Sequence, residues 1–249
     1  MSSSIKIAVC LSGQPRHFKE GYEFFKPAFN GIDVDYFIHN WYDPSGIGEE
    51  LIPGSNPFYH KKGWKVEADT DKDLIRLYDP KKYIFEKQIE FIPRLDFHTN
   101  TKTKQKPKNF MSMVYSRKEV GKLLQEYVKE TGIEYDWVFF TRTDVAIKRS
   151  LREELEDFSN NSVLIAHVPG PNWNVSHLND SVLASSYTNM IYWSTLYDHY
   201  ERYWLEGMSF CPHRLQYHHI SLLGAPLKQI LEPQGTGWSW IRADGLATY

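Results

Sequence analysis

The feature that most constrains this chain is a repeated pattern. A short β-branched or aromatic run is followed by a turn-forming break and then by apolar residues at helical spacing. Ile5 to Leu11 is apolar and is closed by Ser12-Gly13-Gln14-Pro15, as a buried strand running into a loop would be. Phe18 to Phe29 carries aromatics at helical spacing and breaks at Asn30-Gly31, and Val34 to His39 predicts a second strand. The chain therefore opens β-α-β, and the alternation continues. Thr70 to Tyr78 predicts a short helix with an acidic first turn, Tyr83 to Phe85 a third strand, and Met111 to Glu130 the longest helix. Tyr135 to Thr141 is a nearly continuous apolar strand ending in Arg142-Thr143-Asp144, before the apolar triplet Val145 to Ile147. After a Glu-rich helix come a buried strand at Ser162 to Val168 and a Trp- and Asn-rich loop opened by Pro169-Gly170-Pro171. Helical stretches at Thr188 to Leu205 and Pro212 to Leu223 precede a last strand near Leu227 to Leu231. Strands alternating with helices imply an α/β fold with a mostly parallel central sheet, whose ligands lie beyond the carboxyl ends of the strands.

No repeat or linker divides the 249 residues, so one domain over 1–249 is expected, with a sizeable core. Segment 43–66, with Asp43-Pro44, several glycines and Asn56-Pro57, is expected as a long loop. So is 98–109, polar and rich in lysine, which reads as a solvated loop or as a phosphate-binding one. In the longest helix, Met113, Val120, Leu123, Leu124 and Tyr127 form a stripe that reads as core or as a cofactor face.

A net charge of −2 supplies no global positive field for a nucleic-acid backbone or an anionic membrane. Aromatics make up 15% of the chain, and a surplus of this kind often lines sites that stack sugars or bases. Cys10 and Cys211 lie far apart, without CxxC spacing, which favours a reducing compartment. The run IAVCL is too short for a signal h-region or a membrane span, so a cytoplasmic location is expected and the triplets at Asn174 and Asn179 are not read as glycosylation acceptors.

At the strand ends polar residues converge. Ser12, Gly13, Gln14 and Arg16 follow the first strand, His39 ends the second, and Arg142 and Asp144 follow the central one. A glycine at a strand end lets backbone N–H groups approach an anion, and Arg16 adds a fork suited to a diphosphate; a plain turn capped by arginine is the alternative. Neither GxGxxG nor GxxxxGK[ST] is present, so the dinucleotide and P-loop readings lose their main support. Asp144 would hold a divalent cation at the sheet edge, or else pair with Arg142. Asp180 would serve as general base on an acceptor hydroxyl, unless Asn179 or Asp180 caps the following helix. His219, and less favourably His218, would complete a metal shell begun by Asp144. No Ser-His-Asp order, HExxH helix or CxxC pair stands out, which leaves protease and structural-zinc readings without support.

Taken in order, IAVCLSGQPRHF, HNWYDP, LYDPKKYIFEKQ, FMSMVYSRKEVGKLLQEY, YDWVFFTRTDVAI and HLNDSVLASSYTNMIYW resemble a family of nucleotide-sugar glycosyltransferases of the GT-A fold found in viruses and bacteria. The resemblance runs from about residue 5 to residue 231. It implies a nucleotide-diphosphate-sugar donor, a glycan acceptor, and Mn²⁺ or Mg²⁺ held by a DxD-type motif. Arg142-Thr143-Asp144 would stand at that motif, with Asp144 as its final, metal-binding aspartate and Arg142 in place of the first. Leu178-Asn179-Asp180 would match the acceptor-side acidic motif, and Gly13, Gln14 and Arg16 would lie against the nucleotide. Two other classes stay open on the residues: a non-catalytic nucleotide or glycan binding module, and a metal-dependent phosphoester hydrolase.

Overall fold

The computed structural model of the protein describes residues 5–51, 64–92, 107–168, 178–208, 210–232, 237–242 and 245–247. The chain opens with β1 (Lys6–Gly13), α1 (Phe18–Ala28) and β2 (Asp33–Trp41), then a 3-10 turn at Pro44–Gly46 and the short strands β3 (Glu50–Leu51) and β4 (Trp64–Lys65). There follow α2 (Thr70–Tyr78), β5 (Lys82–Glu86), the long α3 (Pro107–Thr131), β6 (Trp137–Thr141), β7 (Val145–Ile147), α4 (Arg152–Glu156) and β8 (Val163–Ala166). The remainder is β9 (Val182–Ser185), α5 (Tyr187–Ser194), α6 (Leu196–Leu205), α7 (Pro212–Ser221), β10 (Leu227–Ile230), β11 (Trp238–Arg242) and β12 (Gly245–Ala247).

Seven strands form the central sheet in the order β10-β8-β9-β6-β1-β2-β5. β1 pairs in parallel with β2 and β6, β2 with β5, and β8 with β10; only β9 runs against its neighbours. The mostly parallel α/β sheet flanked by helices is therefore the architecture that the alternation predicts. A strand's side chains alternate between its two faces, and here both faces are covered. Ile7, Val9 and Leu11 pack with Phe18 and Phe25 of α1 and Leu74 and Tyr78 of α2. Ala8 and Cys10 pack on the other face with Val120 and Leu124 of α3, Met190 and Trp193 of α5 and Ile220 of α7. Val120, Leu123 and Leu124 of the long helix's stripe are thus core.

Four expectations are corrected. Segment 43–66 contains the 3-10 turn and the antiparallel pair β3–β4, and α3 begins at Pro107, inside the expected loop 98–109; positions 52–63 and 98–106 lie outside the described residues, as does 169–177. The helix at 188–205 is two helices. At the break, Ser194 and Thr195 turn their hydroxyls back onto the carbonyls of Ile191 and Tyr192, 2.7 Å each, a bonding that bends helices. Residues 182–185, to which the sequence assigned no element, form β9 in the middle of the sheet. The C-terminal Trp238–Arg242 forms β11, which joins β7 and β12 in a second, antiparallel sheet.

Candidate functional site

From β1 the sheet grows outward through β2 to β5, and α3 then carries the chain back to β6 on the other side of β1. The order of the sheet therefore reverses between β1 and β6, where a parallel α/β sheet leaves a crevice beyond its strand ends. Both polar segments singled out in the sequence end there. Thr143 ties them together, its hydroxyl donating to the carbonyl of Arg16 at 2.9 Å. Helix α1 closes over the junction so tightly that a Cβ on Gly21 would lie 2.0 Å from the Thr143 carbonyl oxygen.

Asp144 is 1% exposed, and three guanidinium groups surround its carboxylate. Arg142 grips both oxygens, Nε to Oδ1 at 2.7 Å and Nη2 to Oδ2 at 2.6 Å. Arg16 Nη2 and Arg242 Nη1 reach Oδ2 at 3.2 and 3.1 Å. Burial pushes the Asp144 carboxyl up, but the three arginines outweigh it and hold the group well below the usual carboxylate range. Arg242 arrives because β11 runs beside this segment, Ile241 N–H donating to the Asp144 carbonyl at 2.9 Å. Burial lowers Arg16 to about 10, so it stays charged at neutral pH. Its Nε–H is buried without a hydrogen-bond partner among the described residues, a state that costs about 1–3 kcal/mol.

This geometry realises the ion-pair reading of Arg142 and Asp144, and it does not fit the expected cation. A cation at Asp144 would have to displace guanidinium donors from both oxygens while facing three positive charges. His219 does not assist. Its Nε2 faces the carbonyl of Tyr192 at 2.9 Å, which requires that nitrogen to carry the proton, and Nδ1 then accepts from the Tyr203 hydroxyl at 2.7 Å. No lone pair remains for a metal, and the ring is stacked on Tyr192 in the helical layer. Burial lowers His219 to about 4. Among the described residues no group of three His, Cys, Asp or Glu could hold a metal ion. His218, which shares α7 with His219, stands edge-on to Tyr203 of α6.

Asp180 precedes β9 and does not cap a helix; Ser186 caps α5, its hydroxyl accepting from Asn189 N–H. Asn179 shapes the turn, accepting Ser181 N–H at 3.0 Å and donating to the Ala166 carbonyl at 3.0 Å. Arg117 of α3 holds Asp180 at both ends, Nη2 lying 3.2 Å from Oδ2 and 2.9 Å from the backbone carbonyl. Arg117 is itself buried, stacked 4.6 Å over Trp193 and bonded to Gln216. Burial pushes Asp180 up, yet Arg117, His213 and Arg142 together hold it below its ordinary value. Arg142 is thus felt by both carboxylates, Asp144 and Asp180.

Gly13 is placed differently from the expectation. Its N–H, read as a donor to an anion, goes to the Ser116 hydroxyl at 2.8 Å, and its carbonyl accepts from Asn40. The rest of that chain follows from donor logic. Nε2–H of the neutral His39 ring donates to Glu86 at 2.9 Å, so Nδ1 accepts from the Ser116 hydroxyl at 2.8 Å. Burial lowers His39, partly offset by Glu86. Ser12 is buried, and Gln14 offers its carbonyl to Arg16 N–H at 2.8 Å. Of the first loop, then, it is Arg16 whose side chain joins the charged cluster.

Sequence reasoning missed Arg117, Ser116 and Arg242. Arg117 carried a signal: with Met113, Val120 and Leu124 it falls on one helical face, and a charge on such a face needs a buried partner. Arg242 follows Trp-Ser-Trp-Ile, an alternation that marks a strand.

No family model matches the chain, and no curated protein matches it. Among solved structures, the chain is similar to the apo form of the glycosyltransferase GlyE of Streptococcus pneumoniae TIGR4. The identity is 11%, the match covers 91% of this chain and 45% of that one, and the TM-score is 0.45. It is also similar to a glycosyltransferase involved in the glycosylation of the major capsid of PBCV-1, at 6% identity, 91% and 82% coverage and a TM-score of 0.40. The chain thus spans less than half the length of the first of these proteins.

Proposed function

We propose that the protein is a glycosyltransferase, moving a sugar from a nucleotide-diphosphate-sugar donor to a glycan acceptor hydroxyl. The observation that carries the reading is the meeting of Arg16, Arg142 and Arg242 at the switch point of the sheet, with the Asp180 carboxylate within the field of Arg142. The ordered sequence blocks that resemble nucleotide-sugar glycosyltransferases support it.

A nucleoside diphosphate leaving a sugar gathers negative charge, and fixed guanidinium donors stabilise that charge more than they stabilise the ground state. The acceptor oxygen forms a bond to the anomeric carbon while the bond from that carbon to the phosphate oxygen breaks, its electron pair departing with the diphosphate. The acceptor's proton passes to Asp180. Arg117 keeps that carboxylate ionised at neutral pH, and it also lowers its basicity, so Asp180 acts on a hydroxyl already acidified by attack.

The test is a panel of nucleotide sugars incubated with glycan acceptors, with release of nucleoside diphosphate as readout, on the wild type and on Asp180→Asn. One donor should turn over, with the variant slower by about 10²–10⁴-fold. Binding without turnover, unchanged in Asp180→Asn, would replace this reading with the binding module. Turnover of phosphate monoesters without an acceptor would replace it with the hydrolase.

A further inference from the structure

We propose that the donor's diphosphate is bound by the guanidinium groups of Arg16, Arg142 and Arg242 without a divalent cation, and that Asp144 is their counter-ion and not a metal ligand. The identity of the anion rests on the transferase reading; the absence of a cation from the site does not.

The inference is carried by how Asp144 is occupied. A carboxylate binds Mn²⁺ or Mg²⁺ through lone pairs, and hard cations want several oxygen ligands. Here Oδ1 takes Arg142 Nε, and Oδ2 takes donors from all three arginines within 3.2 Å. The carboxylate is buried, so releasing it would leave three guanidiniums without their shared counter-ion in a low dielectric. Three guanidiniums stand within 3.2 Å of this one carboxylate. Three guanidiniums at such range repel a dication and attract the oxygens of a diphosphate. Guanidinium is also the group whose forked donors match phosphate oxygens. Arg16 adds a buried Nε–H that none of the described residues satisfies. The three arginines come from the β1 loop, the β6 end and β11, so the anion would tie together three separate parts of the chain.

The experiment is a calorimetric titration of inorganic pyrophosphate and of UDP, GDP, CDP and TDP into the protein, in EDTA and again with Mn²⁺. Binding should appear in EDTA, and Mn²⁺ should leave it unchanged or weaken it, because the metal sequesters the free anion. Arg142→Gln should weaken binding in EDTA by about tenfold, the equivalent of about 1.4 kcal/mol. Asp144→Asn separates the two ideas by sign: a metal ligand's loss would abolish Mn²⁺-dependent binding, whereas a counter-ion's loss leaves binding in EDTA intact or tighter. If Asp144→Asn does not fold by circular dichroism, Arg142→Gln decides, since its side chain lies partly in solvent. Binding that requires Mn²⁺, or no binding of any of the five anions in EDTA, overturns the inference. Pyrophosphate bound in EDTA with no sugar transferred leaves this inference standing and removes the transferase reading. Transfer that needs Mn²⁺ does the reverse.

Discussion

At the scale of single residues, the protein's buried charges are held by partners of opposite sign, and this makes their removal costly in a predictable direction. Arg117→Met keeps much of the side chain's volume against Trp193 but strips Asp180 of its ion pair and Gln216 of its donor. Breaking a buried pair from one side costs about 3–5 kcal/mol, and urea denaturation should show a loss of that order. The Asp180 carboxyl should also titrate higher in the variant, because burial then acts on it with less opposition. His219 gives a second prediction. Its folded pKa lies near 4, below the ordinary 6.5, so the unfolded chain binds the proton more readily. Stability attributable to His219 is therefore full above pH 6.5 and declines as pH falls from there toward 4. The shift corresponds to roughly 3 kcal/mol over that window. In His219→Gln the slope of stability between pH 7 and 4.5 should flatten; an unchanged slope would assign it to other groups.

At the scale of elements, helix α1 is positioned by a residue with no side chain. Exchanging Gly21 for Ala would favour the helix by up to about 1 kcal/mol. The new Cβ would, however, lie 2.0 Å from the Thr143 carbonyl oxygen, which is backbone and cannot swing aside. Overpacking of this kind costs about 1–3 kcal/mol, so the clash wins and Gly21→Ala should lower the urea midpoint. It should also weaken anion binding, because Thr143 sits between Arg142 and Asp144 and anchors Arg16. The same elements show what was legible in the sequence. β1, β6 and β8 were readable because strands buried on both faces are continuous apolar runs. β9 was hidden because Val182–Ser185 is short, and its place between β8 and β6 depends on contacts far along the chain. Arg16, Arg142, Asp144 and Asp180 were legible as charges stranded at strand ends. That three arginines would share Asp144 was not, because Arg242 lies 98 residues further on and reaches it only through the pairing of β11 with β7.

At the scale of the whole molecule, a net charge of −2 conceals three arginines gathered around Asp144 where β1 and β6 end, and acid stability should report them. Asp144 and Asp180 both have folded pKa values depressed by arginines. The sign is opposite to that of a group whose folded pKa is raised. Their contribution is complete above the unfolded aspartate value of about 3.9 and is lost as pH falls through the lower folded values. The protein should therefore lose stability in two stages on acidification: one below pH 6.5, shared by the buried His219 and His39 and by His17, whose pKa values are all lowered, and one below about pH 4, to which the two buried aspartates contribute. Asp144→Asn should remove much of the second stage while leaving the first, and should lower stability at pH 7 by about 3–5 kcal/mol because three arginines lose their counter-ion. Bound pyrophosphate should restore part of that neutral-pH loss, since a ligand taken up by the folded state alone stabilises it. Denaturation curves at pH 7, 5 and 3, with and without pyrophosphate, would test this. A variant that pyrophosphate fails to stabilise would mean that the arginine cluster balances its charge within the protein.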